Sequence, residues 1–365
     1  MVTGGGFKPK TRTYVSHFLS AHPEVMTQDN DWKRHPDLYM SDGTMVLLAN
    51  STLFRVYPGL LAKHSNVFEG LTESGQFLPN DAEVYDGCPL VRLQDDPEEV
   101  ACFLKATMGL CHFERNQPMP YPMASAILRL SSKYMVQSLR RQAIEHFKRI
   151  IPQSYTEINK TESYTQVFGS NPSDKPHPFQ LLPLFRECQL MSFLPWTYYS
   201  ICALGFQKLV QGDTFTTMNG TDSEIFVEDK HDARIALLGW KALCTMTRDI
   251  RNDTIMSSAK DCKGGSTCND TMRLTWMQGA AYQIDSQAMN QWGMFKLLAN
   301  SERPLSPNGR TRNNLVLDTV QPCYGCTKAW LKQEENARNA IWFQLPAIFK
   351  LPAWEVLKQE ENSGM

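Results

Sequence analysis

The hydrophobic period of the chain changes near residue 95, and that change restricts the fold of the first half more than any other feature. Before it, apolar residues come in short runs bounded by turn formers: Asp37-Leu38-Tyr39-Met40, Met45-Val46-Leu47-Leu48 and Leu90-Val91-Arg92-Leu93. Runs of this length suit strands. Ser41-Asp42-Gly43 separates the first two, and an Asp-Gly step between apolar runs predicts that they pair as a hairpin. Leu60, Leu61, His64, Val67 and Phe68 predict a short helix, and Pro79 to Gly87 reads as a polar connector. After residue 95, apolar residues recur three and four apart. Asp96-Pro97-Glu98-Glu99 opens the first of these helices: Asp96 can accept from free backbone N–H groups, Pro97 suits the first helical position, and Glu99 completes a capping box. Val100, Phe103, Leu104 and Thr107 share one face. Ala124, Ile127, Leu130 and Tyr134 do so in a second helix, and Val136, Leu139, Ala143 and Phe147 in a third, with Arg140, Arg141, Glu145 and Lys148 outside. Strands followed by helices define a small two-layer α+β unit.

The remainder reads differently. With 365 residues the chain is long enough for two domains, and 42% hydrophobic content with 21% charged suits a globular protein. Residues 1–30 read as a loose segment, 31–152 as the α+β unit, 153–178 as a polar linker or surface loop, and 179–365 as a mainly helical domain. Within the last, 179–210 and 233–247 are apolar and helical in character, 211–231 is polar and reads as an exposed loop, and 300–315 is a poor core former.

Phe54-Arg55-Val56-Tyr57-Pro58-Gly59-Leu60-Leu61-Ala62-Lys63-His64-Ser65, preceded by Asp37-Leu38-Tyr39-Met40 and closing on Val67-Phe68, resembles the BTB/POZ family, which places a serine before its next helix. The strand 90–93, the Pro97-capped helix, Leu128–Tyr134 and the helix from Val136 follow in the same order. Asp86-Gly87-Cys88-Pro89-Leu90-Val91-Arg92-Leu93 is closer to the BTB proteins of mushroom-type (basidiomycete) fungi, as is the tail Trp342, Leu345-Pro346, Phe349, Leu351-Pro352, Trp354 and Leu357. The resemblance implies a non-catalytic interaction or adaptor protein that binds other proteins, with a homodimer through residues 35–150. It offers two narrower roles, as a substrate adaptor of a cullin-type ubiquitin ligase and as a nuclear or transcriptional regulator. In members that recruit corepressors, a buried aspartate and an arginine form a charged pocket. Asp37 stands at the first position, but Tyr57-Pro58 replaces the His-Arg pair. For a cullin scaffold the corresponding loop is His112-Phe113-Glu114-Arg115, with His112 where a hydrophobic residue is usual.

Formal net charge is -1, which gives no electrostatic ground for a nucleic-acid or anionic membrane partner. The N-terminus lacks a secretory apolar core, and no apolar stretch is long enough to span a bilayer, so an intracellular place, cytoplasm or nucleus, is expected. The 10 cysteines are then expected as thiols. No nucleophile elbow, phosphate-binding loop or His-Glu-x-x-His helix is found, and the short-range pairs His112/Glu114 and Asp261/Cys262 are of a kind common by chance. An enzyme is not expected, nor an organic cofactor. The discrete constellation is Cys262-x5-Cys268 with Cys323-Tyr324-Gly325-Cys326: two thiolates three positions apart face one side of a turn, and a second pair completes a tetrahedron for structural zinc. Ordinary reduced thiols at loop edges are the alternative. Cys88, Cys102, Cys111, Cys188, Cys202 and Cys244 stand in apolar surroundings and read as core thiols.

Overall fold

The continuous apolar run Met45-Val46-Leu47-Leu48-Ala49 becomes the central strand of a mixed sheet. The structure, a computed structural model, describes residues 31–73, 83–111, 113, 117–217, 219–255, 262, 263, 265, 268 and 323–363. Strands β1 (Lys33–Tyr39), β2 (Met45–Ala49), β3 (Thr52–Val56), β4 (Val84–Tyr85) and β5 (Cys88–Leu93) lie in the order β1-β3-β2-β5-β4. All of β2 is buried, because both faces of the sheet are covered there. Met45, Leu47 and Ala49 face the main core, while Val46 and Leu48 meet Leu53 and Cys88 on the other side.

The hairpin expected across Asp42-Gly43 does not form. A turn is present, with the Gly43 N–H donating to the Met40 carbonyl at 3.1 Å, but β3 inserts between β1 and β2. β1 is parallel to β3, and the antiparallel hairpin is β2–β3. Gly43 is there for close approach, since a Cβ would lie 3.0 Å from both the amide nitrogen and the carbonyl oxygen of Val56. The Asp-Gly hairpin lies instead at Asp86-Gly87, inside the stretch expected as a connector. Its φ angles of 52° and 74° are the left-handed pair that a type I′ turn needs between β4 and β5.

The helix expected around residues 60–68 is two helices, α1 (Pro58–His64) and α2 (Asn66–Glu73). Ser65 breaks it with extended backbone. The Ser65 hydroxyl accepts from the Phe68 N–H at 3.2 Å, capping α2, and donates to the Tyr134 carbonyl at 2.5 Å. Before α3 (Pro97–Thr107), the Asp96 carboxylate accepts from the N–H groups of Glu98 and Glu99 at 2.9 and 3.3 Å. The capping box is not completed, because the Glu99 carboxylate turns to the Arg129 guanidinium. α4 (Tyr121–Lys133) and α5 (Gln137–Lys148) bury the apolar faces read from their spacing. Arg140, expected outside, is buried: it donates to the Cys188 carbonyl at 3.0 Å, because later helices cover that face of α5.

Residues 153–178, expected as a polar linker or surface loop, carry short helical elements and several buried side chains. They form a 3-10 turn at Tyr155–Lys160, helix α6 (Tyr164–Phe168) with a Ser163/Gln166 capping box, and a second 3-10 turn at Pro172–Asp174. Ile158, Val167 and Phe168 are buried. The Phe168 ring meets Tyr121 and Phe147, and Phe147 meets Phe185 of α7 (Pro178–Glu187). One cluster of buried apolar residues therefore runs from Leu38 to Leu357 across the expected boundary.

α8 (Leu194–Cys202) is buried all round, and its two small polar residues, Thr197 and Ser200, donate to the Phe193 and Trp196 carbonyls at 2.9 Å. α9 (Phe206–Gln211) follows, and the expected loop 211–231 contains a hairpin of β6 (Asp213–Thr216) and β7 (Asp222–Ile225). α10 (Lys230–Ile255) is anchored to α7 and α8 by Asp232, which accepts from Arg186 at 2.7 and 3.0 Å and from the Tyr198 hydroxyl at 2.6 Å. α11 (Tyr324–Ile348) packs on α10, and α12 (Trp354–Ser363) folds back. Phe349 approaches Gly239 so closely that a Cβ there would lie 2.2 Å from its ring. The whole is mixed α+β, a small N-terminal sheet with helices throughout. Among the described residues no helix is long and apolar enough to cross a membrane. The loose segment 1–30 and the stretch 300–315 lie outside the described residues.

Candidate metal centre

Cys323 is the N-cap of α11, in extended backbone, and Cys326 falls in the first turn of the helix. A three-residue step across a helix start points both sulfurs to one side. Cys262 and Cys268, from the segment after α10, come to the same place. All four Sγ atoms lie within 4.8 Å of one another, with Cys268 and Cys326 buried and Cys262 and Cys323 half-buried. Among the described residues they form a small cluster of their own. The structure thus unites the four cysteines that sequence spacing singled out, and such a group can hold a metal ion.

Backbone donors surround the sulfurs. The Cys323 N–H donates to Cys268 Sγ at 3.3 Å. The N–H groups of Cys326 and Lys263 point at the Cys323 sulfur and bring its thiol down to about 6, against the opposing effect of burial. At Cys268 the Cys323 N–H pulls down, yet burial and the neighbouring sulfurs of Cys262 and Cys323 leave the thiol above its usual value. Cys102, Cys188 and Cys202, read as core thiols, behave otherwise. Burial pushes Cys102 and Cys188 up to about 11 and raises Cys202 as well, so they stay protonated and inert. All ten cysteines are free of disulfides.

Other positions singled out in the sequence separate from this centre. Asp37 is exposed and pairs with Lys105 at 3.2 Å, so it is not the buried aspartate of a charged pocket. Pro58 starts α1. In the loop of the cullin comparison only Phe113 is described, and its ring packs against His146. His112, Glu114, Arg115 and Asp261, and with them both acid–base pairs, lie outside the described residues.

One feature escaped sequence reasoning. A cavity of about 960 Å³ opens between the N-terminal helices and the β6–β7 hairpin, walled in part by Glu98, Tyr121, Phe179 and Asp232. Arg129 stands in its wall, paired with Glu99 and, at 2.8 Å, with Glu187. Burial holds the Glu99 carboxyl above its usual value, with Arg129 pulling the other way. Its walls are too far apart in sequence for any local pattern to announce it.

Comparison with protein-family models, with curated proteins and with solved structures gives no match for this chain.

Proposed function

We propose that the chain is a non-catalytic protein-interaction protein whose residues 35–150 act as a BTB/POZ-type module. The observation that carries this reading is the local role of each residue in the resembling stretch. Phe54 is buried in β3, Leu61 and Phe68 anchor α1 and α2, and Ser65 caps α2 while holding the carbonyl of Tyr134. The elements expected after it follow in order: β5 beside β2, the Asp96-capped α3, then α4 and α5. Residues with such specific local duties describe a motif for a fold and not a scatter of apolar positions. The activity assigned is binding of other proteins, beginning with a second copy of the chain, because closed two-fold pairs are the commonest assembly of soluble proteins.

Sedimentation of the full chain at micromolar concentration, followed by cross-linking, tests the reading. A dimer with its cross-links inside residues 35–150 is the expected result. A monomer at every concentration, or a dimer joined elsewhere, would overturn it. The full chain is the right object, because the buried core continues past residue 152.

A further inference from the structure

We propose that Cys262, Cys268, Cys323 and Cys326 hold a structural Zn²⁺ ion that fastens the segment after α10 to the first turn of α11. Geometry comes first. A tetrahedral ion with metal–sulfur bonds of about 2.3 Å sets its sulfurs about 3.8 Å apart. Four Sγ atoms that all lie within 4.8 Å of one another need only a small contraction to reach that arrangement. Donor chemistry selects the metal. Four thiolates with no carboxylate or imidazole among them suit a soft, borderline cation and exclude calcium and magnesium. Four protein ligands leave no open position, which makes the site structural and not catalytic.

The surroundings fit the charge. Four thiolates around Zn²⁺ carry a net negative charge, and the site lies at the N-terminus of a 25-residue helix, where backbone N–H groups and the helix dipole favour negative charge. The Cys323 N–H bonded to Cys268 Sγ at 3.3 Å is the outer contact that orients a thiolate ligand. Among the described residues, the buried Cys268 and Cys326 pack with Cys262 and Cys323. Cys268 and Cys323 are 55 positions apart, so an ion shared between them would tie together two distant stretches of the chain. The binding free energy of the ion then adds to that of folding.

Elemental analysis of the full chain, purified without chelator, is expected to find about one zinc per chain. The metal-stripped chain titrated with Co²⁺ should develop the thiolate-to-cobalt charge-transfer band and the intense visible absorption of a tetrahedral thiolate site, both lost on adding Zn²⁺. Cys323→Ser and Cys268→Ser should lose the zinc, whereas Cys102→Ser, outside the cluster, should keep it. Because a serine variant can fail to fold, the cobalt spectrum of the unaltered chain decides independently. Absence of zinc together with absence of a cobalt spectrum overturns the proposal. So do iron in place of zinc, and a mass decrease showing disulfides among these four cysteines.

Discussion

His146 lies on α5 with its ring 5.3 Å from Phe113, 6.2 Å from Phe147 and 5.6 Å from Phe168. Burial among these rings, helped by the Arg149 guanidinium and opposed by Glu162 and by a backbone bond at Met119, takes its imidazole down to about 4. An unfolded chain takes up that proton near 6.5. Between pH 6.5 and 4 the unfolded state therefore binds more protons, and stability falls as the pH is lowered, by roughly 2–3 kcal/mol from this residue over the whole window. Melting temperatures of the unaltered chain and of His146→Leu, measured from pH 7 to pH 4, should diverge in slope, with the variant less acid-sensitive. Equal slopes would place the acid sensitivity elsewhere. Spacing alone does not find this residue: His146 precedes the apolar Phe147 and reads as a polar position until α6 covers it.

At the scale of elements, α11 shows how a side chain from one helix decides the length of another. A proline disfavours a helix interior, yet α11 continues to Ile348 with Pro346 inside it. A proline deprives the carbonyl four residues earlier of its donor, here Trp342. That carbonyl instead accepts from Trp354 Nε1 at 3.0 Å, while the two indoles stack at 4.7 Å and 7°. The fold-back of Phe349 and Trp354 follows from the apolar tail, but the rescue of the carbonyl does not. Trp354→Phe keeps most of the stacking surface and leaves a buried acceptor unsatisfied, at a cost of roughly 1–3 kcal/mol. Trp354→Ala also removes the ring and should cost roughly 3–5 kcal/mol. Thermal unfolding should rank the proteins in that order. A Trp354→Phe variant as stable as the parent would remove the indole bond from the account.

The whole molecule is held by aromatic contacts that cross the segment 153–178. Phe168 meets Tyr121 and Phe147, Phe147 meets Phe185, and the Tyr155 hydroxyl donates to the Glu335 carbonyl of α11 at 3.3 Å. Cleavage needs a backbone that can leave the surface, and this one is tied on both sides. Limited proteolysis should therefore spare residues 153–178 and leave a fragment spanning 117–217 intact. Early cuts between residues 153 and 178, located by mass spectrometry, would overturn this and favour the linker or surface loop that the composition suggests.

What the sequence determined by itself was local. The buried run of β2, the Asp96 cap of α3, the apolar faces of α3, α4 and α5 and the Cys-x-x-Cys step at the start of α11 all follow from forces acting within a few residues. Strand order was decided by tertiary structure: the rule for Asp-Gly hairpins holds at Asp86-Gly87 and fails at Asp42-Gly43, because β3 occupies the place beside β1. The burial of Arg140, the packing of 153–178 and the cavity beside Arg129 were decided in the same way. Each depends on a surface contributed from far along the chain, and local periodicity carries no information about which distant surface will arrive. The four cysteines stand between these cases. Their residue type and spacing are legible in the sequence, but their meeting across 55 positions is a tertiary event.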